Sequence, residues 1–337
     1  MLRLRIWAVI IGMGAILAGC GSNGPEGGSS TASSSGAAST AASGLKQVRI
    51  GYLANIVMPQ PLVGLQNGEF EKLVPGVKFT GKDYPAGPEV LEALRAGIID
   101  IAYTGPYPPM KAYAKSKDVI LLAGSAKGGT ALMVSKNSPV KSVKELKGKV
   151  IGINQFGSTV DAVVRHNLLK AGLKPAKDVR LIEVKPAEQA AEIKRGQIAA
   201  VAAPAPWPSV VEISGDGRAL LDWKQILAGG DYLSGVAFTT KKFADAHPEV
   251  VRQFVAAHKA ITDRLNKDRA RGDAQVLAAW SKVTKKTLAP PVAKAAFATI
   301  EFTSEAEQKD FERDMAIAVE VGILKKKGDL TGFVYTR

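Results

Sequence analysis

The side chains of this 337-residue chain that could meet a small molecule gather in loops that follow apolar runs. Asn55 and Met58 lie in the loop 53–61, where apolar Ile56, Val57 and Met58 either pack beneath the loop or line a pocket wall. In Thr104-Gly105-Pro106-Tyr107, Thr104 can cap a helix, Gly105 admits a close backbone approach and Pro106 suits a first turn. That segment is either a capped helix alone or an anion site, because the same geometry aims N–H groups and a hydroxyl at one point. Lys127-Gly128-Gly129-Thr130 has glycines but lacks the G-x-x-x-x-G-K-[ST] order of a phosphate loop, so it reads as a turn into a crossing strand. The loop 154–161 carries Gln155, Gly157, Ser158 and Thr159, with Asp161 as capping-box partner of Ser158. Trp207, between Pro206 and Pro208, belongs either to a core or to the floor of a cleft. No loop holds an acid–base pair, a metal cluster or a nucleophile beside a histidine. Plentiful donors without reactive groups point to binding, so no catalytic residue, metal or cofactor is expected.

These loops need a scaffold. Strand-like runs fall at 48–53, 77–80, 99–103, 119–123, 149–153, 179–184 and 199–203. Helix-like stretches between them fall near 61–70, 88–96, 106–114, 158–171 and 187–195. The alternation predicts parallel sheets covered by helices, an α/β fold. From 241 onward consecutive helices are expected at 248–265, 274–283, 291–297 and 304–321, with a strand only at 235–240. Two α/β units followed by a helical return predict two lobes, with crossings near 131–135 and 234–239. The expected bounds are 45–133 plus 237–337 for the first lobe and 134–236 for the second. Ligands in such sheets bind outside the carboxyl ends of the strands, where these loops lie.

The first 44 residues read differently. Arg3 and Arg5 precede an apolar run at 6–17, too short to cross a bilayer but right for a secretory signal. Leu17-Ala18-Gly19-Cys20 resembles a bacterial lipobox, and Cys20 is the chain's single cysteine, so lipidation at Cys20 is expected. Residues 21–44, almost all Gly, Ser, Ala and Thr, predict a disordered tether with a reach of about 27 Å. Removing Arg3 and Arg5 leaves 45 − 2 = 43 basic residues against 31 acidic, a net of +12. That excess suits anionic surfaces or small anions. The basic residues are dispersed, with Lys325-Lys326-Lys327 the longest run, and nucleic acid is not an expected partner. Of the scattered histidines, His247 before Pro248 predicts a helix cap.

Four segments in order resemble a known family: 48–53 (VRIGYL), 93–113 (ALRAGIIDIAYTGPYPPMKAY), 148–173 (GKVIGINQFGSTVDAVVRHNLLKAGL) and 202–211 (AAPAPWPSVV). Together they resemble the substrate-binding proteins of ABC importers, in the group for aliphatic sulfonates, taurine and nitrate. The resemblance implies a Venus-flytrap fold, a small anionic ligand closed between two lobes, and delivery to a membrane permease and ATPase by a monomer anchored outside the cytoplasm. It implies that neutral donors at Thr104, Gly105, Gln155, Ser158 and Thr159 hold the anionic head while Trp207 packs on the ligand. With the neighbouring loop positions, the candidate set is Asn55, Met58, Thr104, Gly105, Tyr107, Gly129, Thr130, Gln155, Gly157, Ser158, Thr159 and Trp207. Ala205 and Pro208 leave no carboxylate beside the Pro-Trp turn, which ranks alkyl sulfonates ahead of taurine. Ile56, Val57, Met58 and Phe156 suit an alkyl tail and rank bare nitrate lower. Rival readings on the same fold are a pyrimidine vitamin precursor, which would stack on aromatic rings, and an enzyme of the thiamin-pyrimidine-synthase type, which would want a Cys/His cluster.

Overall fold

A computed structural model describes residues 44–336. The expected signal peptide, the expected lipidation site at Cys20 and nearly all of the expected tether lie outside the described residues. Short apolar runs become strands and the amphipathic stretches between them become helices. The first sheet and its cover begin with β1 (Gln47–Leu53), α1 (Pro59–Gln66), α2 (Glu69–Leu73), β2 (Lys78–Tyr84), α3 (Gly87–Arg95), β3 (Ile101–Thr104), α4 (Tyr107–Ser116) and β4 (Val119–Gly128). The chain then builds a second sheet with β5 (Ala131–Ser135), β6 (Val150–Ile153), α5 (Thr159–Lys170), β7 (Arg180–Glu183), α6 (Gln189–Lys194), β8 (Ala200–Ala203), α7 (Trp207–Ile213) and β9 (Gly217–Leu221). It returns through β10 (Leu233–Thr240), α8 (Lys241–Ala246), α9 (Pro248–Lys267), α10 (Arg269–Thr284), α11 (Pro290–Phe297), β11 (Ile300–Phe302) and α12 (Gln308–Glu320).

The six-stranded sheet runs β11-β4-β10-β3-β1-β2 and the five-stranded sheet β7-β6-β8-β5-β9. Two sheets, each with its own helices, give the two-lobed α/β architecture expected. The sheets are mixed and not purely parallel: β10 is antiparallel to β3 and β4, and β5 is antiparallel to β8 and β9. A strand that enters from the other sheet arrives from the opposite direction, which accounts for the reversal. Because β5 lies wholly in the second sheet and β10 wholly in the first, the chain changes sheets at 129–130 and at 222–232. Both crossings precede the segments expected from the sequence.

Phe254 of α9 is fully buried, with ring centroids 5.3 Å from Phe70 and 6.3 Å from Tyr103. One turn later His258 places Nε2 2.7 Å from the Gly124 carbonyl and Nδ1 2.7 Å from Tyr103 Oη. A carbonyl only accepts, so Nε2 carries the proton and Nδ1 accepts from the phenol, which makes the ring a neutral structural pin. His247 stands at the N-cap of α9, but its side chain makes no cap hydrogen bond; the ring packs on Phe243 at 5.0 Å instead.

Two buried groups titrate in opposite senses. Burial pushes His258 from 6.5 down to about 4, so its contribution is present above 6.5 and lost as pH falls through 4. Burial pushes Asp314 of α12 from 3.8 up to about 6, against the pull of Arg313 3.1 Å away. Its contribution is present below 3.8 and lost as pH rises through 6. The two effects offset each other across the same window. Asp314→Asn should therefore stabilise the protein at pH 7 relative to wild type, by about 2 kcal/mol more than at pH 4. Urea unfolding at both pH values measures this, and a pH-independent difference between variant and wild type would contradict it.

Candidate functional site

The loops singled out in the sequence converge because each follows the carboxyl end of a central strand. Trp280 Nε1 donates to the Ala54 carbonyl at 3.1 Å and Ser125 Oγ lies 3.1 Å from the Val57 carbonyl, which pins the loop after β1. Beneath it Gln60 Nε2 donates to Thr262 Oγ1 at 2.9 Å and to the Ser125 carbonyl at 3.0 Å. Ile56, Val57 and Met58 are all buried, and of the three Val57 and Met58 also border the cavity where the loops meet. On the other sheet Ser158 caps α5, accepting the Asp161 N–H at 3.2 Å. Asp161 reaches one residue further back than expected, accepting the Gly157 N–H at 2.8 Å and pairing with Arg165 at 2.5 Å.

Where the loops meet they enclose a throat of about 30 Å³. Asn55, Met58, Gly105, Thr130, Ser158 and Thr159 line it, together with Asn154, Pro204 and Ser234. The meeting is close. A Cβ on Gly105 would stand 2.2 Å from Thr159 Oγ1, and the Tyr107 N–H points at the same hydroxyl from 3.4 Å. Loops of the two sheets thus touch through a residue without a side chain.

The throat is rich in donors. Asn55 Oδ1 accepts the Val57 N–H at 3.0 Å and Asn154 Oδ1 accepts the Ser158 hydroxyl at 2.8 Å. With both amide oxygens engaged, the two NH₂ groups remain as donors. Thr159 and Val160 are the first residues of α5, so their N–H groups have no partner within the helix. Among the described residues no carboxylate, lysine, arginine or histidine lines the throat. Neutral donors at a helix N-terminus fit an anion.

The other expected residues sit elsewhere. The Thr104 hydroxyl donates to the Gly105 carbonyl at 2.7 Å and caps nothing; Pro106 holds the N-cap position of α4. The Tyr107 phenol is buried without a partner, and that burial drives its pKa well above the ordinary value, with Asp314 adding to the shift. Gly129 forms the turn between the sheets at φ 82°. Its neighbour Thr130 is held by an N–H bond of 3.0 Å to Tyr232 Oη, a phenol pushed by burial to about 12. The Gly157 N–H is taken by Asp161. Trp207 packs edge-on against Trp280 at 6.3 Å, with Lys286 5.2 Å over its ring, and does not line the throat. Of the expected alkyl-tail wall, Val57 and Met58 line the throat, whereas Ile56 is fully buried outside it and Phe156 is 45% exposed under Arg165.

Gln155 belongs to a second cavity of about 480 Å³, which adjoins the throat at Asn154. Glu89 reaches this chamber from α3, and Glu183, Lys185 and Glu188 reach it from the other sheet. Gln155 Oε1 is a buried acceptor with no partner. Sequence reading missed Ser234, which lies on a returning strand, and it missed the chamber, whose walls come from both sheets. Asn154 was legible as the residue that ends β6. Among the described residues no group of His, Cys, Asp and Glu converges to hold a metal, and no helix is long and apolar enough to cross a membrane.

Known proteins share this architecture. A protein of Escherichia coli (strain K12) named as aliphatic sulfonates-binding is 33% identical over 177 residues, 52% of this chain and 55% of the relative. The chain thus spans about half the length of that curated relative. A Bacillus subtilis (strain 168) protein of the same name is 26% identical over 75% of this chain and 72% of its own. The solved alkanesulfonate-binding protein SsuA of Xanthomonas axonopodis pv. citri, bound to MOPS, superposes with a TM-score of 0.71 at 26% identity, over 86% of this chain and 98% of that one. The family model described as NMT1-like matches residues 41–280, well over half of the sequence, and the chain therefore belongs to the NMT1-like family.

Proposed function

We propose that this protein is the extracytoplasmic solute-binding component of an ABC importer, that its cargo is a small organic sulfonate, and that it acts without catalysing a reaction. The observation that carries the reading is the throat built of neutral donors, with Asn55 and Asn154 presenting NH₂ groups beside the N-terminus of α5. A sulfonate is a weak base that offers three acceptor oxygens and needs no proton. Neutral donors satisfy those oxygens without the desolvation penalty of a buried cation. The names of the relatives support the same class. A throat of about 30 Å³ admits such a head group only when the loops at Gly105 and Thr159 separate, so capture requires opening and reclosure.

The chamber bears on which sulfonate. The side-chain carboxylates of Glu89 and Glu188, one from each side, make no hydrogen bond or ion pair among the described residues. They favour a tail with a cationic or donor group over the plain alkyl tail that the sequence ranked first. The carboxylate absent beside the Pro-Trp turn is supplied by other elements. For anchoring we propose lipidation at Cys20, which keeps the receptor at the membrane near a permease.

Three outcomes are expected. In calorimetric titration the protein binds ethanesulfonate and 3-aminopropanesulfonate, the latter about threefold tighter, and does not bind nitrate; tight nitrate binding without sulfonate binding would overturn the reading. Gly105→Val, which puts a side chain where Thr159 now sits, weakens sulfonate binding at least about tenfold. Its melting temperature stays near wild type, and unchanged affinity would remove the loop contact from the account. Cys20→Ala moves the protein from the membrane fraction to the soluble fraction of cells, and retention at the membrane would refute lipid anchoring.

A further inference from the structure

A groove of about 510 Å³ lies near the other end of α5, and none of its lining residues belongs to the throat. His166 and Lys170 of α5 form one wall, Arg313, Ile317 and Glu320 of α12 face them, and residues 225–228 of the second crossing close it. Lys170 lies eleven residues beyond Thr159, about 16 Å along the helix.

The polar groups here are unevenly satisfied. His166 Nδ1 and Glu320 Oε2 pair at 2.7 Å, so the groove's single carboxylate is already engaged. Arg313 directs Nε to Asp314 at 3.1 Å and Nη1 to the Asp231 carbonyl at 3.0 Å, but its Nη2 is buried without a partner. The Lys170 ammonium makes no hydrogen bond or ion pair among the described residues. A buried orphan guanidinium nitrogen calls for an acceptor. Of the remaining lining, Gln225, Ala228 and Ala316 are exposed, while Ile226, Leu227 and Ile317 are buried beneath them. The crossing is also strained at this edge, where Ala228 adopts φ 48° ahead of Gly229 at 65° and Gly230 at 95°. A residue with a Cβ rarely occupies that region unless its surroundings hold it there.

We propose that this groove binds a small organic anion with one acidic head and a short apolar body, the head meeting Lys170 and Arg313 and the body lying over the exposed Ala228 and Ala316. The walls come from a helix of each lobe and from the crossing between them. Occupancy therefore favours the arrangement in which α5 meets Gly105 and raises affinity at the throat. This coupling rests on the proposed sulfonate reading; the site itself does not.

The test uses hexanoate as probe and the whole protein. Backbone amide signals of Gln225, Ala228 and Ala316 shift on titration with hexanoate but not with hexylammonium. Lys170→Glu weakens hexanoate binding about tenfold, and Lys170→Arg retains it. Saturating hexanoate tightens 3-aminopropanesulfonate binding about threefold or more. Absence of the amide shifts, equal shifts with hexylammonium, or an undiminished affinity in Lys170→Glu would overturn the site. Unchanged sulfonate affinity would overturn the coupling. Failure of every sulfonate to bind would sink the reading of the throat and the coupling with it, while the amide shifts still decide the groove.

Discussion

The contact between Gly105 and Thr159 is the constraint on which the candidate site depends. It joins the turn after β3 to the first residue of α5, so it joins one sheet to the other. No residue with a side chain could stand at 105 in this arrangement, because its Cβ would lie 2.2 Å from the Thr159 hydroxyl oxygen. Once the two loops touch, the loops carrying Asn55, Thr130 and Asn154 are drawn around the same point. The buried pins beneath them, Gln60 against Thr262 and Trp280 against Ala54, hold the first-sheet side in register with that contact.

The chemistry of the throat follows from how its amides are spent. Asn55 and Asn154 each satisfy their oxygen locally, one with a backbone N–H and the other with a hydroxyl. Their side chains are thereby oriented as donors before any ligand arrives, which lowers the entropy lost on binding. Asp161 serves the same end: it takes the Gly157 N–H and is itself balanced by Arg165, so its charge is compensated near the anion site.

Much of this was legible in the sequence. Strands such as β6 and β8 are unbroken apolar runs ended by Asn154 and Pro204, and the Ser158 cap announced α5. Tertiary context supplied the rest. β11 is three residues long with a polar centre, and it is a strand only because β4 extends far enough to pair with it. β9 begins with Gly217-Arg218 and gives no period of its own. Ser234 enters the throat because β10 returns between β3 and β4, a placement set by topology. Residue type and position left Trp207 and Thr104 with two roles each, and only the family resemblance put them on a ligand. Trp280, distant in sequence, claims the first, and the carbonyl of the very next residue, Gly105, claims the second.

The central claim is that donors alone, without a cation, hold the head group between the lobes. A crystal structure of the protein with 3-aminopropanesulfonate tests it most directly. The account predicts sulfonate oxygens within hydrogen-bond distance of Asn55 Nδ2, Asn154 Nδ2 and the N-terminus of α5, with the amine in the chamber of Glu89 and Glu188. A sulfonate seated instead on lysine or arginine side chains, away from the throat, would contradict it.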